Sequence, residues 1–172
     1  MRSLSRILAF SCTVLLAAAP ASAVPVLWTL SGVGFDDGGS ATGSFVFDAD
    51  TATASAVAIT TTLGTSFAGT SYAHVFADGA TAVSASTVSG SPYTDEFVVA
   101  LNFASALTNA GGVVSINTSS EIECSNASCD SHFTFRTGSS GTVSGTVIPE
   151  PASAALMGTG LTALAAARRR RA

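Results

Sequence analysis

The sequence contains no lysine, and only 10% of its 172 residues are charged. Six of the seven arginines lie near the two ends, which leaves Arg136 as the only arginine of residues 24–148. One arginine against ten acidic residues gives this range a formal charge of −9. We expect no nucleic-acid partner, because neutralising phosphates requires Lys and Arg.

The first 23 residues are typical of a secretory signal peptide. Arg2 and Arg6 supply positive charge ahead of an apolar stretch over residues 7–18, and Ala21 and Ala23 form a small-x-small cleavage site. Signal peptidase is therefore expected to cut after Ala23. The alternative is an uncleaved membrane anchor, but the apolar run is short for a span.

The last 24 residues, 149–172, combine three features in a fixed order. A polar Pro-Glu-Pro break comes first, followed by an uncharged stretch over residues 152–167 and then an arginine cluster. As a helix the uncharged stretch would reach about 24 Å, somewhat less than the hydrocarbon core. We predict a transmembrane helix there. Its basic end would be cytoplasmic and the body of the chain would lie outside. The cluster comprises Arg168, Arg169, Arg170 and Arg171.

This order resembles the PEP-CTERM sorting signal of Gram-negative bacteria. Pro149, Glu150, Pro151, Ala152 and Ser153 carry the motif. The resemblance implies recognition by an exosortase, a membrane-embedded cysteine transpeptidase-like protease, which would cut near the Pro-Glu-Pro residues. The body would then be released or transferred to the outer surface or the extracellular matrix. The implied partners are signal peptidase, exosortase, the inner membrane before processing and, as a further candidate, exopolysaccharide.

Residues 24–148 contain little that favours helix, since 38 of the 125 residues are Ser or Thr. Apolar residues instead alternate with polar ones, as in half-buried strands. The clearest case is the series Phe97, Val99, Leu101 and Phe103. The pattern predicts an all-β exported domain, an antiparallel sandwich or barrel of about eight to nine strands. The signal helix and the transmembrane helix would flank it.

Three local expectations follow from the same alternation. Asp36-Asp37-Gly38-Gly39 should close a hairpin. The change in apolar parity after Leu30 indicates a bulge at Ser31-Gly32. Phe133 and Phe135 should share the core face of a late strand, with His132, Thr134 and Arg136 on its opposite face.

A second resemblance covers Trp28 to Thr51 and the turn at Leu107 to Gly112. Both segments are similar to an uncharacterised group of PEP-CTERM proteins with the signature F-x-D-G-G-x-x-x-G-S-F-x-(F/Y)-D and a later L-T-N-A-G-G turn. This resemblance supports the fold and implies no activity.

Cys124 and Cys129 remain once the signal peptide, with Cys12, is removed. In an exported domain this C-x4-C pair predicts a disulfide that closes a short loop. The alternative is a metal site that adds Asp130 and His132. Zinc sites usually show C-x2-C spacing, which disfavours it.

The remaining polar residues do not form a recognisable catalytic set. His74 and His132 have no nucleophile in a recognisable context. Asp36, Asp37, Asp48 and Asp50 favour turns, although Asp48-Ala49-Asp50 resembles the start of a calcium loop. Glu121 and Glu123 are expected to form a solvated acidic edge. We expect no catalytic residue, no metal and no cofactor.

The sequence therefore predicts a non-enzymatic surface or matrix protein. The alternative is a carbohydrate- or calcium-binding module. Of its aromatic residues, only Trp28, Tyr72 and Tyr93 could serve a sugar site outside the phenylalanine core. A third hypothesis, a hydrolase, is disfavoured because the sequence shows no recognisable nucleophile–base pair.

Overall fold

The computed structural model describes residues 24–148, between the two predicted targeting segments, and this range contains strands and no helix. The eleven strands are β1 (Val26–Ser31), β2 (Val33–Gly34), β3 (Ser40–Asp48), β4 (Thr53–Thr61), β5 (Ser71–Tyr72), β6 (His74–Gly79), β7 (Ala82–Ser86), β8 (Phe97–Phe103), β9 (Gly112–Cys124), β10 (His132–Gly138) and β11 (Thr142–Val147).

Nine of these strands form one antiparallel path in the order β5-β4-β3-β1-β11-β9-β8-β7-β6. The first and last strands of the path, β5 and β6, are separated by Ala73 alone. Because β5 pairs with β4 and β6 pairs with β7, this one segment brings the two ends of the path together. The sheet is therefore barrel-like and nearly closed.

Strand β9 connects the two halves of the sheet. It is 13 residues long and pairs with β8 along one edge. Along its other edge it pairs first with β11, through Gly112 to Ser115, and then with β10, through Ser119 to Cys124. The side strands β10 and β11 therefore diverge opposite the middle of β9.

The two ends of the described chain lie side by side. Strand β11 is placed between β1 and β9, and its register with β1 runs from Ser31–Thr142 to Val26–Val147. Beyond the last pair, the Ile148 N–H donates to the Pro25 carbonyl at 3.2 Å. One edge of β1 therefore stays without a partner strand until β11, the last strand, is in place.

The inward faces of the strands form a single apolar core. Trp28, Phe45 and Phe47 are fully buried at its centre, and the ring of Phe45 stacks on that of Phe103 at 6.2 Å. Each large side chain buried in this way contributes about 1.5–3 kcal/mol from the hydrophobic effect. Burial of this face is what fixes the register of the strands.

The structure confirms the all-β antiparallel fold and the hairpin at Asp36–Gly39. In β8 the predicted core residues Val99, Leu101 and Phe103 are buried, but Val98, expected on the opposite face, is buried as well. The change of parity is also present, since the chain leaves β1 at Ser31 and resumes in β2 at Val33 with buried residues on both sides. The structure has more strands than the predicted eight to nine, in part because breaks at Gly32 and Ala73 separate the two-residue strands β2 and β5 from β1 and β6. The predicted signal and transmembrane helices lie outside the described residues.

The expectation for β10 was wrong. Phe133 and Phe135 are 62% and 56% exposed, whereas Arg136 is buried. Alternation alone shows which residues share a face and not which face is inside. Here the buried position is taken by Arg136, because the carboxylates of Glu121 and Asp37 lie on the inner side and bind its guanidinium.

Candidate functional site

The side chain of Arg136 is completely buried and lies between two carboxylates. Its Nε and Nη2 donate to Glu121 Oε2 at 2.8 and 2.5 Å. Its Nη1 donates to both oxygens of Asp37, at 3.0 and 3.1 Å, and Nη2 also donates to the Thr62 carbonyl at 3.1 Å. The planar guanidinium is suited to this role, because it presents several donors in a fixed fork.

The second oxygen of Glu121 is occupied as well. Thr61 Oγ1 donates to Oε1 at 3.0 Å and the Tyr72 hydroxyl donates to it at 2.5 Å. The rings of Phe35 and Phe67 cover the guanidinium, with centroids 4.3 and 5.1 Å from its carbon. Burial of charge is costly unless every group is paired, and here each charged group has its partners.

The members of this cluster come from separate parts of the chain. Asp37 lies in the β2–β3 turn, Thr61 ends β4, Tyr72 lies in β5, Glu121 in β9 and Arg136 in β10. The predicted solvated edge is wrong for Glu121, which is fully buried, while Glu123 is half-buried. The cluster was not predicted from the sequence. The one available signal was that Arg136 is the only Lys or Arg of residues 24–148, against ten acidic residues.

The environment shifts the acidity of two members. Burial acts to raise the pKa of Asp37, but hydrogen bonds from the Gly39 and Ser66 N–H groups and the Arg136 guanidinium outweigh it, so the pKa is lowered. Burial, and then the hydrogen bond to Glu121, raise the pKa of Tyr72 far above its ordinary value. Tyr72 therefore keeps its proton, and Asp37 keeps its negative charge beside Arg136.

The aromatic residues considered for a sugar site are placed differently from the expectation. Trp28 and Tyr72 are buried in the core and cannot present a face to solvent. Tyr93 is half-buried, and its ring packs on Phe76 at 4.6 Å. The exposed aromatic residues of the described range are instead Phe133 and Phe135.

Cys124 and Cys129 are joined by a disulfide bond, with their Cα atoms 4.8 Å apart. The bond closes the loop between β9 and β10, where Ser125 and Ser131 also share a hydrogen bond of 2.9 Å. The two sulfur atoms are thereby occupied, which removes them from the alternative metal site with Asp130 and His132.

The side chains of the turn residues Asp36 and Asp48 accept hydrogen bonds from backbone N–H groups. Asp36 accepts from the N–H and hydroxyl of Thr137 at 3.1 and 2.9 Å, and these bonds lower its pKa. Asp48 accepts the N–H of Asp50 at 2.9 Å. Between residues 24 and 148, no group of three or more His, Cys, Asp or Glu residues is arranged to hold a metal ion.

A groove of about 640 Å³ opens where β10 and β11 diverge from each other, opposite the middle of β9. Hydroxyl residues from two segments, 118–120 and 137–140, line it together with Gly34, Asp36 and Gly138. Ser119 is one of the lining residues, and its hydroxyl is buried and has no hydrogen-bond partner within the described range. An unpaired buried hydroxyl costs about 1–3 kcal/mol. The hydroxyl residues are Thr118, Ser119, Ser120, Thr137, Ser139 and Ser140.

The predicted targeting residues fall outside the described range. These are the cleavage residues Ala21 and Ala23, the motif residues Pro149 to Ser153 and the arginines 168–171. No helix within residues 24–148 is long and apolar enough to cross a membrane.

Replacing Arg136 by Met should lower the free energy of unfolding by about 3–5 kcal/mol, because Glu121 is left as an unpaired buried charge. The double variant Arg136→Met/Glu121→Gln should recover part of this loss, since the uncompensated charge is gone while the bonds from Thr61 and Tyr72 can remain. Urea unfolding measures both. Glu123→Gln, on the same strand, is the control and should change stability by less than about 0.5 kcal/mol. If the losses of stability from Arg136→Met and Glu121→Gln simply add in the double variant, the pairing of Arg136 with Glu121 is contradicted.

The lowered pKa of Asp37 predicts an acid-dependent stability. The stabilisation is present above the ordinary pKa of 3.8 and is lost as the pH falls through the lower folded-state pKa. Asp37→Asn should therefore reduce the urea midpoint at neutral pH and make its further decrease below pH 3.8 shallower than in the unmodified protein. The exposed Asp95→Asn is the matched control. Parallel pH profiles for both variants would show that Asp37 does not carry this dependence.

Residues 147–171 match the PEP-CTERM protein-sorting motif. No curated protein and no solved structure matches the chain. The match begins at Val147, the last residue of β11, and covers the Pro-Glu-Pro residues, the uncharged stretch and the arginine cluster. This motif implies an exported protein with exosortase as its processing partner. The chain therefore carries a PEP-CTERM protein-sorting motif at residues 147–171, which begins at the last residue of the final strand of a β-rich body.

Proposed function

We propose that the chain is a non-catalytic protein of the cell surface or extracellular matrix, delivered there by exosortase. The observation that carries the proposal is the match of residues 147–171 to the sorting motif. Signal peptidase would cut after Ala23, and residues 152–167 would hold the precursor in the inner membrane until exosortase acts near Pro149-Glu150-Pro151. The body would then be released or transferred outside.

The arrangement of the body supports this delivery route. Pro25 and Ile148 are hydrogen-bonded neighbours, so both predicted cleavage points adjoin the same end of the sheet. A body in this arrangement can fold outside the membrane while its two flanking segments still lead to one membrane surface. Its charge of −9 favours solubility and mutual repulsion after release.

The non-catalytic part of the proposal is supported by the state of the charged cluster. Arg136, Glu121 and Asp37 bind one another and their backbone neighbours, and their side chains are almost fully closed to solvent. A cluster in this state stabilises the fold and offers no free general base to a substrate. A small cavity of about 120 Å³, lined by Phe67 and Phe97, borders Glu121.

Mass spectrometry of the mature protein from hosts with and without exosortase tests the proposal. We expect the mature chain to begin at Val24 in both hosts and to lack Arg168–Arg171 only where exosortase is present. Glu150→Ala should block the C-terminal cut, whereas the exposed Asp95→Asn should not. A C-terminus ending at Ala172 in both hosts would refute the role of exosortase.

A second candidate function is the binding of a neutral, hydroxyl-rich ligand such as a saccharide in the groove between β9 and the β10–β11 turn. Its volume lies in the range of ligand sites, and hydroxyls can both donate to and accept from sugar hydroxyls. No lysine, arginine or histidine lines it, so it has no attraction for anions. The buried, unpaired hydroxyl of Ser119 favours this location further.

An array of neutral and acidic oligosaccharides, probed with the full chain in detergent, tests this candidate. Neutral glycans should bind, and Ser139→Trp, which fills the exposed rim of the groove, should weaken binding at least about tenfold, or 1.4 kcal/mol. Ser89→Trp places the same side chain at an exposed position outside the groove and should bind normally. Equal binding by both tryptophan variants would rule the groove out.

A further inference from the structure

The sorting motif begins inside the folded sheet. The match starts at Val147, which is paired with Val26 in β1, and one residue, Ile148, separates it from Pro149. The N–H of Ile148 is itself bound to the Pro25 carbonyl. In the sequence, Ile148 alone separates the Val26–Val147 pair from the residues at which the precursor is expected to be cut.

The two halves of β11 are held differently. Residues Thr142 to Gly145 pair with β1 on one side and with β9 on the other. Thr146 and Val147 pair with β1 alone. The last two residues can therefore open without disturbing the β9 ladder, whereas withdrawal of the whole strand would break the sheet at its centre.

Proteases cleave chain segments that are unpaired and extended, so a site beside a paired strand end is cut through its locally opened form. Opening of a strand end costs far less than global unfolding. The fraction of time for which Thr146 to Ile148 is detached from β1 would then set how well the neighbouring motif can enter an enzyme.

We propose that the β1–β11 pairing controls processing of the sorting motif. The folded body confines the cut to the C-terminal side of Ile148, and it slows the cut until the end of β11 detaches from Leu27 and its neighbours. This inference rests on the proposed exosortase processing and adds its regulation. In the step itself one peptide C–N bond breaks, the amine leaves with the C-terminal segment and takes up a proton, and water or an amine acceptor takes the acyl group.

Pulse-chase conversion of the full-length precursor in an exosortase-positive host tests the proposal. Insertion of Gly-Ser-Gly-Ser between Ile148 and Pro149 should raise the conversion rate about two- to tenfold, the factor that one net hydrogen bond represents. The same insertion between Ser89 and Gly90, in an exposed segment far along the chain from the motif, should leave the rate unchanged. No acceleration by the linker at Ile148 would overturn the proposal.

A cross-link provides the opposite perturbation. Leu27 and Thr146 face each other at the surface, so Leu27→Cys/Thr146→Cys should fasten the strand end and slow conversion by a similar factor. Thr29→Cys/Ser144→Cys lies two residues further from the motif on the same strands and should slow it less. Each single cysteine variant is the control for the cross-link. Equal rates for both cross-linked forms and the unmodified precursor would contradict control by the strand end.

The mature C-terminus gives an independent check. We expect it to lie at or after Ile148 in every variant, and a product that ends before Val147 would overturn the proposal. Processing by exosortase and its control by β11 can be refuted separately. If cleavage does not depend on exosortase, the proposed function fails. If it does depend on exosortase and the linker and the cross-links leave the rate unchanged, only the control by β11 is wrong.

Discussion

The buried guanidinium of Arg136 is the interaction on which one whole end of the structure depends. It joins Glu121 of β9 to Asp37 in the β2–β3 turn, and through the Thr62 carbonyl it also reaches the segment after β4. These segments come from distant parts of the sequence, and hydrogen bonds to a single rigid group fix their relative positions. A charge buried in this way is stable only with all its partners present, so the cluster is strongly selective for one arrangement of the surrounding loops.

The other end of the structure depends on a different constraint, the pairing of the first strand with the last. Because β11 lies between β1 and β9, the sheet is complete only when the final strand of the body has been added. The sorting motif begins where this strand ends. The last strand of the sheet and the sorting motif are therefore adjacent in the chain and share Val147.

The fold class could be predicted because it follows from local pattern. Alternating apolar residues in β8, the Asp-Gly turn after Phe35 and the change of parity after Leu30 each specify a strand or a turn without reference to distant residues. The face assignment in β10 could not be predicted in the same way. A strand that carries phenylalanines on one side and an arginine on the other is ordinarily interpreted with the phenylalanines inside, and only the positions of Glu121 and Asp37 reverse it.

The sequence by itself determined that this protein carries a sorting motif, since the Pro-Glu-Pro break, the uncharged stretch and the arginine cluster are contiguous and need no fold to be recognised. It also determined the antiparallel β architecture, because strand periodicity and turn chemistry act over a few residues. Only the tertiary structure decided which charged residues are buried and that the hydroxyl residues of two segments line one groove. It alone placed the two ends of the body side by side. Those features depend on contacts between residues far apart in the chain, such as Asp37 with Arg136 and Pro25 with Ile148, and no local pattern encodes them.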